Sequence, residues 1–367
     1  MGNDARRGMR AAAGLLVLGL AIGAGCGGPA APAGAERPTC RIAGRCMGGT
    51  EDFNITLTGP GLTTQQVDAV DADIHRELDK VVHTISAYEP TSEITAFNAH
   101  TSTAPFAVSE PMAGLVRFAL DLGEKSAGAF DLTVAPLVKL WGFGPEGRRT
   151  KPPSEAEAQA VRPLIGWRHV SVTPRGELVK DNPRVQIDLN ALGDGWAVDL
   201  VSRAIERQGV TNYLVEVGGE TYGAGVKANG DRWRIGIDQP RLNAVPGKTL
   251  QGIVNLTGLA VSTSGDYRKF FKDEQGREYA HIFDPRLGAP VQRAQCSVTI
   301  VAPRCELADG LATTLFVLGP EEGIPWIRTH FPGVEALFVV GQPDGSFREF
   351  TTPGFVKRTR YEPPVKE

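Results

Sequence analysis

From about residue 45 to residue 352 the chain contains no internal repeat and no spacer, only short apolar stretches of two different periods. Unbroken patterning over that length fits one large domain better than two tethered ones. Alternation with period two predicts strands at "FNITLTG" (53–59), "HVSVTP", "RVQIDL" (184–189), "NYLVEVGG", "RWRIGID", "GIVNLTGLAVSTSG", "SVTIVAP", "GVEALFVVG" and "SFREFT". Helical spacing of Val67, Val70, Ile74, Leu78 and Val81 predicts a long helix over 63–86, and further helices are expected at 111–128, 155–166 (interrupted by Pro163), 195–209 and 308–319. Strands and helices alternate irregularly, so the expected class is α+β with mixed sheets.

The two ends are of a different kind. Arg6, Arg7 and Arg10 precede the apolar run "AAAGLLVLGLAIGAG", which is too short to span a bilayer. That is the form of an export signal over residues 1–26. Cys26, directly after "GAG", resembles a lipoprotein acylation site, with Gly23 where such sites usually carry a larger aliphatic residue. Residues 27–44 begin as a Gly/Ala/Pro linker, and the expected placement is periplasmic, tethered to the inner membrane through an acylated Cys26. Residues 353–367 are expected to be a solvated polar tail. Cys40 and Cys46 are close enough in sequence for a small loop disulfide in an oxidising compartment, while Cys296 and Cys305 either pair or stay buried thiols. A net charge of −3 gives no electrostatic reason to expect nucleic acid as a partner.

The usual phosphate-loop, zincin and nucleophile-elbow motifs are absent, and "GAGVKANG" lacks the third glycine of a dinucleotide fingerprint. The helix at 308–319, "ADGLATTLFVLG", carries the sharpest signal. At 100° per residue Leu311, Leu315 and Leu318 form one stripe, and Asp309, Ala312, Thr313 and Phe316 lie nearly opposite. An exposed acid in a helix's first turn is worth roughly 0.3–1 kcal/mol. Sequestering an unpaired carboxylate costs several kcal/mol. A buried Asp309 face therefore calls for a cation, and two hard oxygens from Asp309 and Thr313 with backbone carbonyls suit Mg2+ or Ca2+. Elsewhere each polar residue also has a structural reading: Asp131 caps a turn, Gly218 and Gly219 permit positive φ, His281 is a structural histidine, and Tyr88 packs its ring.

Taken in order, "MGGT … SAYEPTSEI … FDLTVAPL.KLWGFG … IDLNALGDGWAVD … VEVGGE … STSGDYRKFF … HIFDPRLGAPV … ADGLATTLFVLG" resembles the ApbE family of periplasmic FAD:protein FMN transferases, from about Met47 to Phe350. The resemblance implies a single T-fold-like α+β domain with FAD in a cleft. It implies a Mg2+-dependent reaction that splits FAD, attaches FMN through its phosphate to a threonine of a partner protein, and releases AMP. It places Met47, Tyr88, Ala129, Phe130, Asp131, Asp188 and the main chain near Phe283 along the FAD site. Asp194 joins them at a position held by lysine in many relatives and by an acid in others. Asp309 and Thr313, with main-chain oxygens of Ala191 and Ala312, fall on the metal ligands. Gly49 in "MGGT" is an extra residue where relatives often read MGT.

By residue type and motif position, His281 is the candidate base that accepts the threonine proton, with Asp284 as the alternative. Two competing readings remain at this point: a flavin-binding lipoprotein without catalysis, and a Mg2+-dependent FAD pyrophosphatase in which water replaces the threonine.

Overall fold

In the computed structural model, which describes residues 38–364 apart from 50, 145, 146, 148, 150, 243, 244, 268, 269 and 294, the first alternating stretch is the second arm of a hairpin. β1 (Thr39–Cys46) and β2 (Glu51–Thr58) pair antiparallel from Thr39↔Thr58 to Cys46↔Glu51. α1 (Thr64–Ile85) starts on a capping box, Thr63 Oγ1 accepting from Gln66 N and Gln66 Oε1 from Thr63 N. The chain continues through α2 (Glu93–Ala99), α3 (Glu110–Lys125), α4 (Ala135–Leu140), α5 (Glu155–Val161) and the short hairpin β3 (Val170–Val172) and β4 (Leu178–Lys180). α6 (Asn190–Arg207) leads to β5 (Asn212–Val217), β6 (Glu220–Ala224), β7 (Trp233–Asp238), β8 (Leu250–Leu256) and β9 (Leu259–Gly265). Two small hairpins follow, β10 (Phe270–Lys272) with β11 (Glu278–Ala280) and β12 (Phe283–Asp284) with β13 (Ala289–Pro290). β14 (Cys296–Ala302), α7 (Cys305–His330), β15 (Glu335–Gly341), β16 (Phe347–Thr351) and α8 (Phe355–Thr359) close the domain.

Eight strands form one sheet in the order β1-β2-β5-β6-β9-β14-β15-β16. Each pairing in it is antiparallel, where mixed sheets were expected; the helical excursion after β2 returns the chain as β5 running against it. The class is α+β. Both faces of the sheet are covered, which explains why β14 is buried at every residue. Val298, Ile300 and Phe338 enter the main core beneath α1, α6 and α7, and the alternate residues Val301, Leu337 and Val339 enter a second cluster with Trp233, Val254 and Phe355. A third cluster gathers Leu137, Trp141 and Phe283 with Phe143, Phe271 and Tyr279.

Several expectations are corrected. "RVQIDL" is not a strand: Val185, Ile187 and Leu189 alternate inward as the pattern required, but the backbone bonds go to side chains, to Leu132 O and, in a local turn, to Asn182 O instead of a neighbouring strand. The helix expected at 195–209 begins earlier: "NALGD" (190–194), left between it and the strand expected at 184–189, is the first turn of α6. Residues 353–361 are not a solvated tail but are anchored on the domain, with Phe355 and Thr359 fully buried. Cys40 and Cys46 sit at opposite ends of extended β1, about 20 Å apart at the strand rise, and both are free thiols. Cys296 and Cys305, separated by β14, are free and buried. The expected signal, Cys26 and most of the linker lie outside the described residues. Among the described residues no helix is long and apolar enough to cross a membrane.

Candidate functional site

α6 and α7 cross with almost no space between them. A Cβ on Gly195 would lie 2.5 Å from Cys305 O and 2.7 Å from Asp309 Cβ, so only glycine allows this approach. The contact brings the Gly195 N–H within 3.0 Å of Asp309 Oδ2, to which it donates. α7 itself is anchored from α6: the Asp199 carboxylate accepts from Cys305 N at 2.9 Å and Glu306 N at 3.1 Å, capping the helix where it has no cap of its own.

Asp309 is 7% exposed. Burial pushes its carboxyl well above the usual carboxylate range, and the neighbouring charges of Glu220 and Asp194 push it further, against the single Gly195 hydrogen bond. One turn on, Thr313 is half-buried with its Oγ1 3.3 Å from Ser264 Oγ on β9. Thr314 is no substitute, because its hydroxyl donates to Gly310 O within its own helix at 2.7 Å. Ala312 is buried between the two, and Leu192, next to Ala191, lies against Gly310. Both faces of this part of α7 are therefore buried, the leucine side and the Asp309 side alike.

Met47 and Asp194 belong to the same neighbourhood. Met47 follows β1 in a left-handed conformation (φ 51), a backbone state uncommon outside glycine. The preceding Cys46 thiol is pushed up to about 12, first by burial and then by the Asp194 charge. The β5–β6 turn rests on the Asp194 carboxylate, whose Oδ2 is 2.6 Å from where a Gly218 Cβ would stand.

A second group adjoins the first through the start of α6. Asp188 Oδ1 accepts from Asn190 N at 2.7 Å, and Asp188 N donates to Leu132 O at 2.7 Å. That bond lays residue 188 beside the 129–133 segment. There Ala129 and Phe130 are buried, and Asp131 accepts from Thr133 N at 2.8 Å and Thr133 Oγ1 at 2.6 Å. The turn-capping reading of Asp131 is thus correct, and burial raises its carboxyl and that of Asp188. Tyr88, just past α1, is 58% exposed.

The third group is less unified. His281 is half-buried, its ring centroid 6.3 Å from that of Phe143. Phe283 packs against Trp141 and Phe143, so its ring is spent on the aromatic cluster and only its main chain is available to a ligand. Both Asp284 oxygens are held by the Arg286 guanidinium at 2.9 and 2.8 Å, an arrangement that braces the loop and leaves His281 as the base candidate. Arg286 also flanks Gly128, joining this loop to the second group.

Sequence reasoning passed over Asp199, Glu220, Ser264 and Asn98, the last at the end of "SAYEPTSEITAFN" (86–98), all within marked motifs, and Lys180, which lies in none. Asp199 stands at i+4 from Gly195 on α6, a spacing that could have flagged it once the helix start was known.

The sequence model of the ApbE family matches residues 49–338. A FAD:protein FMN transferase of Vibrio cholerae is 38% identical over 326 residues, covering 88% of this chain and 94% of its own. The solved flavin transferase ApbE from Vibrio cholerae superposes with a TM-score of 0.78 at 36% identity, over 88% of this chain and 99% of that one. The apo form of Pseudomonas stutzeri flavinyl transferase ApbE gives 0.77 at 34% identity, over 88% and 97%. The fold is that of the flavin transferases. This chain belongs to the ApbE family.

Proposed function

We propose that this FAD:protein FMN transferase is Mg2+-dependent, modifies a threonine of its acceptor protein, releases AMP, and works in the periplasm as a lipoprotein anchored at Cys26. The observation that carries the metal reading is the buried Asp309–Thr313 pair on α7. A carboxylate held away from water beside Glu220 and Asp194 is costly as it stands, and a hard divalent cation would remove that cost. Among the described residues no group of three or more His, Cys, Asp or Glu is gathered at metal-binding spacing. One carboxylate, one hydroxyl and the main-chain oxygens of Ala191 and Ala312 need no such group. When bound there, Mg2+ would offset charge building on the pyrophosphate oxygens and on the AMP leaving group.

The protein's own part is positioning and proton transfer. FAD lies along Met47, Tyr88, Ala129, Phe130, Asp131, Asp188 and the main chain at Phe283, its pyrophosphate toward Asp309. The acceptor threonine Oγ bonds to the FMN phosphorus as the P–O bond to AMP breaks, and the threonine proton passes to His281.

One assay separates the readings. With FAD, Mg2+ and a threonine-bearing acceptor, covalently fluorescent acceptor supports transfer, free FMN with AMP marks a pyrophosphatase, and intact bound FAD marks a carrier. Asp309→Ala is expected to lose most Mg2+-dependent transfer, and also the Mg2+-induced rise in Tm, while remaining folded. Full activity in that variant overturns the metal assignment. His281→Ala is expected to slow single-turnover transfer on the order of 10²–10⁴-fold, and an unchanged rate removes it as the base.

A further inference from the structure

The extended segment 185–189 carries Asp188 into the second site group, yet no strand pairs with it. Its backbone is held by two side chains from outside the site. Asn98, in the last turn of α2, makes a paired contact with one residue: Ile187 N donates to Asn98 Oδ1 at 2.7 Å, and Asn98 Nδ2 donates to Ile187 O at 2.9 Å. The amide thus replaces the neighbouring strand that a ladder would supply. Lys180, in β4, is 1% exposed, and its ammonium donates to Val185 O at 3.1 Å and Phe97 O at 3.2 Å while standing 4.9 Å from the centroid of the Phe97 ring.

Neither contact is the economical way to fill a core. A buried ammonium must be desolvated, and two carbonyl oxygens and a ring face are a costlier setting for it than apolar partners are for an apolar side chain. What the lysine and the amide contribute is direction. They hold the carbonyls of 185 and 187 and so fix the rotation of the segment about its own axis; with the Val185 and Ile187 side chains buried, period-two alternation turns Gln186 and Asp188 to the other face. Gln186 lines a cleft of about 520 Å³ together with Asn98 itself, Pro136, Lys139 and Arg184. Beyond Asp188 the same backbone enters the first turn of α6, where Leu192 lies against Gly310, the residue after Asp309.

We propose that Asn98 and Lys180 are positioning residues for FAD binding, fixing the backbone of 185–188 so that Asp188 and the first turn of α6 meet the dinucleotide in one orientation. This rests on the reading above that Asp188 contacts FAD.

The test is a double-mutant cycle between Asn98→Ala and Asp188→Ala in the full chain. FAD affinity is measured by flavin fluorescence, KM and kcat by transfer to an acceptor protein, and Tm in parallel. Asn98→Ala is expected to weaken FAD binding and raise KM for FAD about tenfold with kcat changed less than about twofold. In the Asp188→Ala background the same change should cost less than about threefold, because the residue it aims is gone. Lys180→Met takes the donor from Val185 O and is expected to lower Tm, and where the protein is fully folded it should also raise KM for FAD with kcat changed less than about twofold, a split that a merely structural lysine would not give. Fully additive effects, or wild-type FAD affinity in a folded Asn98→Ala or Lys180→Met protein, overturn the proposal. If Asn98→Ala does not fold, Asn98→Asp, which keeps the acceptor for Ile187 N and loses the donor to Ile187 O, goes through the same cycle. Wild-type FAD affinity in Asp188→Ala would instead strike the underlying assignment of Asp188, a result distinct from additivity.

Discussion

A single missing methyl group sets the distance at which Asp309 works. With Gly195 replaced by alanine, α6 would have to move off Cys305 O and Asp309 Cβ, which stand 2.5 and 2.7 Å from the new atom. Gly195→Ala is expected to cost roughly 1–3 kcal/mol of stability by overpacking, read as a lower denaturation midpoint in urea. Asp266 supplies a residue-scale pH dependence. Burial pushes its carboxyl up to about 7, the Cys296 N–H and Arg293 opposing and Glu278 assisting. The folded state therefore keeps this proton where the unfolded chain has released it, so stability is full below the unfolded value and falls as pH rises from about 4 toward 7. Asp266→Asn should flatten that slope in the urea midpoint; an equal slope in both proteins would show that Asp266 does not titrate in this window. At this scale the sequence was readable wherever spacing on one helix carried the meaning, as for Asp309 and Thr313. It was silent on Asn98, whose partner is 89 positions away and whose own helix gives no sign of it.

Elements were legible by period and misread at their ends. The 308–319 pattern is part of α7, but that helix begins at Cys305 because Asp199 reaches across from α6 to satisfy its first N–H groups. At the other end of the leucine stripe the helical backbone is interrupted at Gly319 (φ 78), and the Arg293 guanidinium donates to the freed carbonyls of Phe316 and Val317, both at 3.1 Å. Neither cap comes from residues adjacent to the helix, so a local reading could not place the boundaries. Asp199→Ala would leave two N–H groups at a buried helix start without acceptors, an expected loss of roughly 2–4 kcal/mol in chemical denaturation. Asp199→Asn, retaining one acceptor oxygen, should lose about half as much. Equal stability of all three proteins would mean that water or a neighbouring group takes over the cap. The same limit explains 185–189: its inward alternation was genuine, but a strand also needs a partner strand, and side chains supplied one instead.

Over the whole molecule the sheet separates a working face from a supporting one. α6 and α7, with the Asp309–Thr313 pair, lie over the face that carries Val298 and Ile300, while Val301 and Leu337 meet Phe355 on the other. The residues after 352 were read as a polar tail because five-residue α8 is too short to show a period. Their anchoring is tertiary: Ile253 and Glu362 exchange two backbone hydrogen bonds at 2.9 Å, and the Tyr361 hydroxyl reaches Glu349 Oε1 at 2.6 Å. Phe355→Ala should empty a fully enclosed site and cost about 3–5 kcal/mol, with a clear fall in Tm. Because that cavity opens behind the sheet, KM for FAD in the folded fraction should stay within about twofold of wild type. Asp309→Ala should show the opposite division, with transfer lost and the apo protein no less stable, since a buried and repelled carboxylate has been removed. Measuring Tm and KM on the two variants side by side tests the separation directly: a Phe355→Ala protein that binds FAD an order of magnitude more weakly at a temperature where it is fully folded would mean that the two faces are coupled through the sheet.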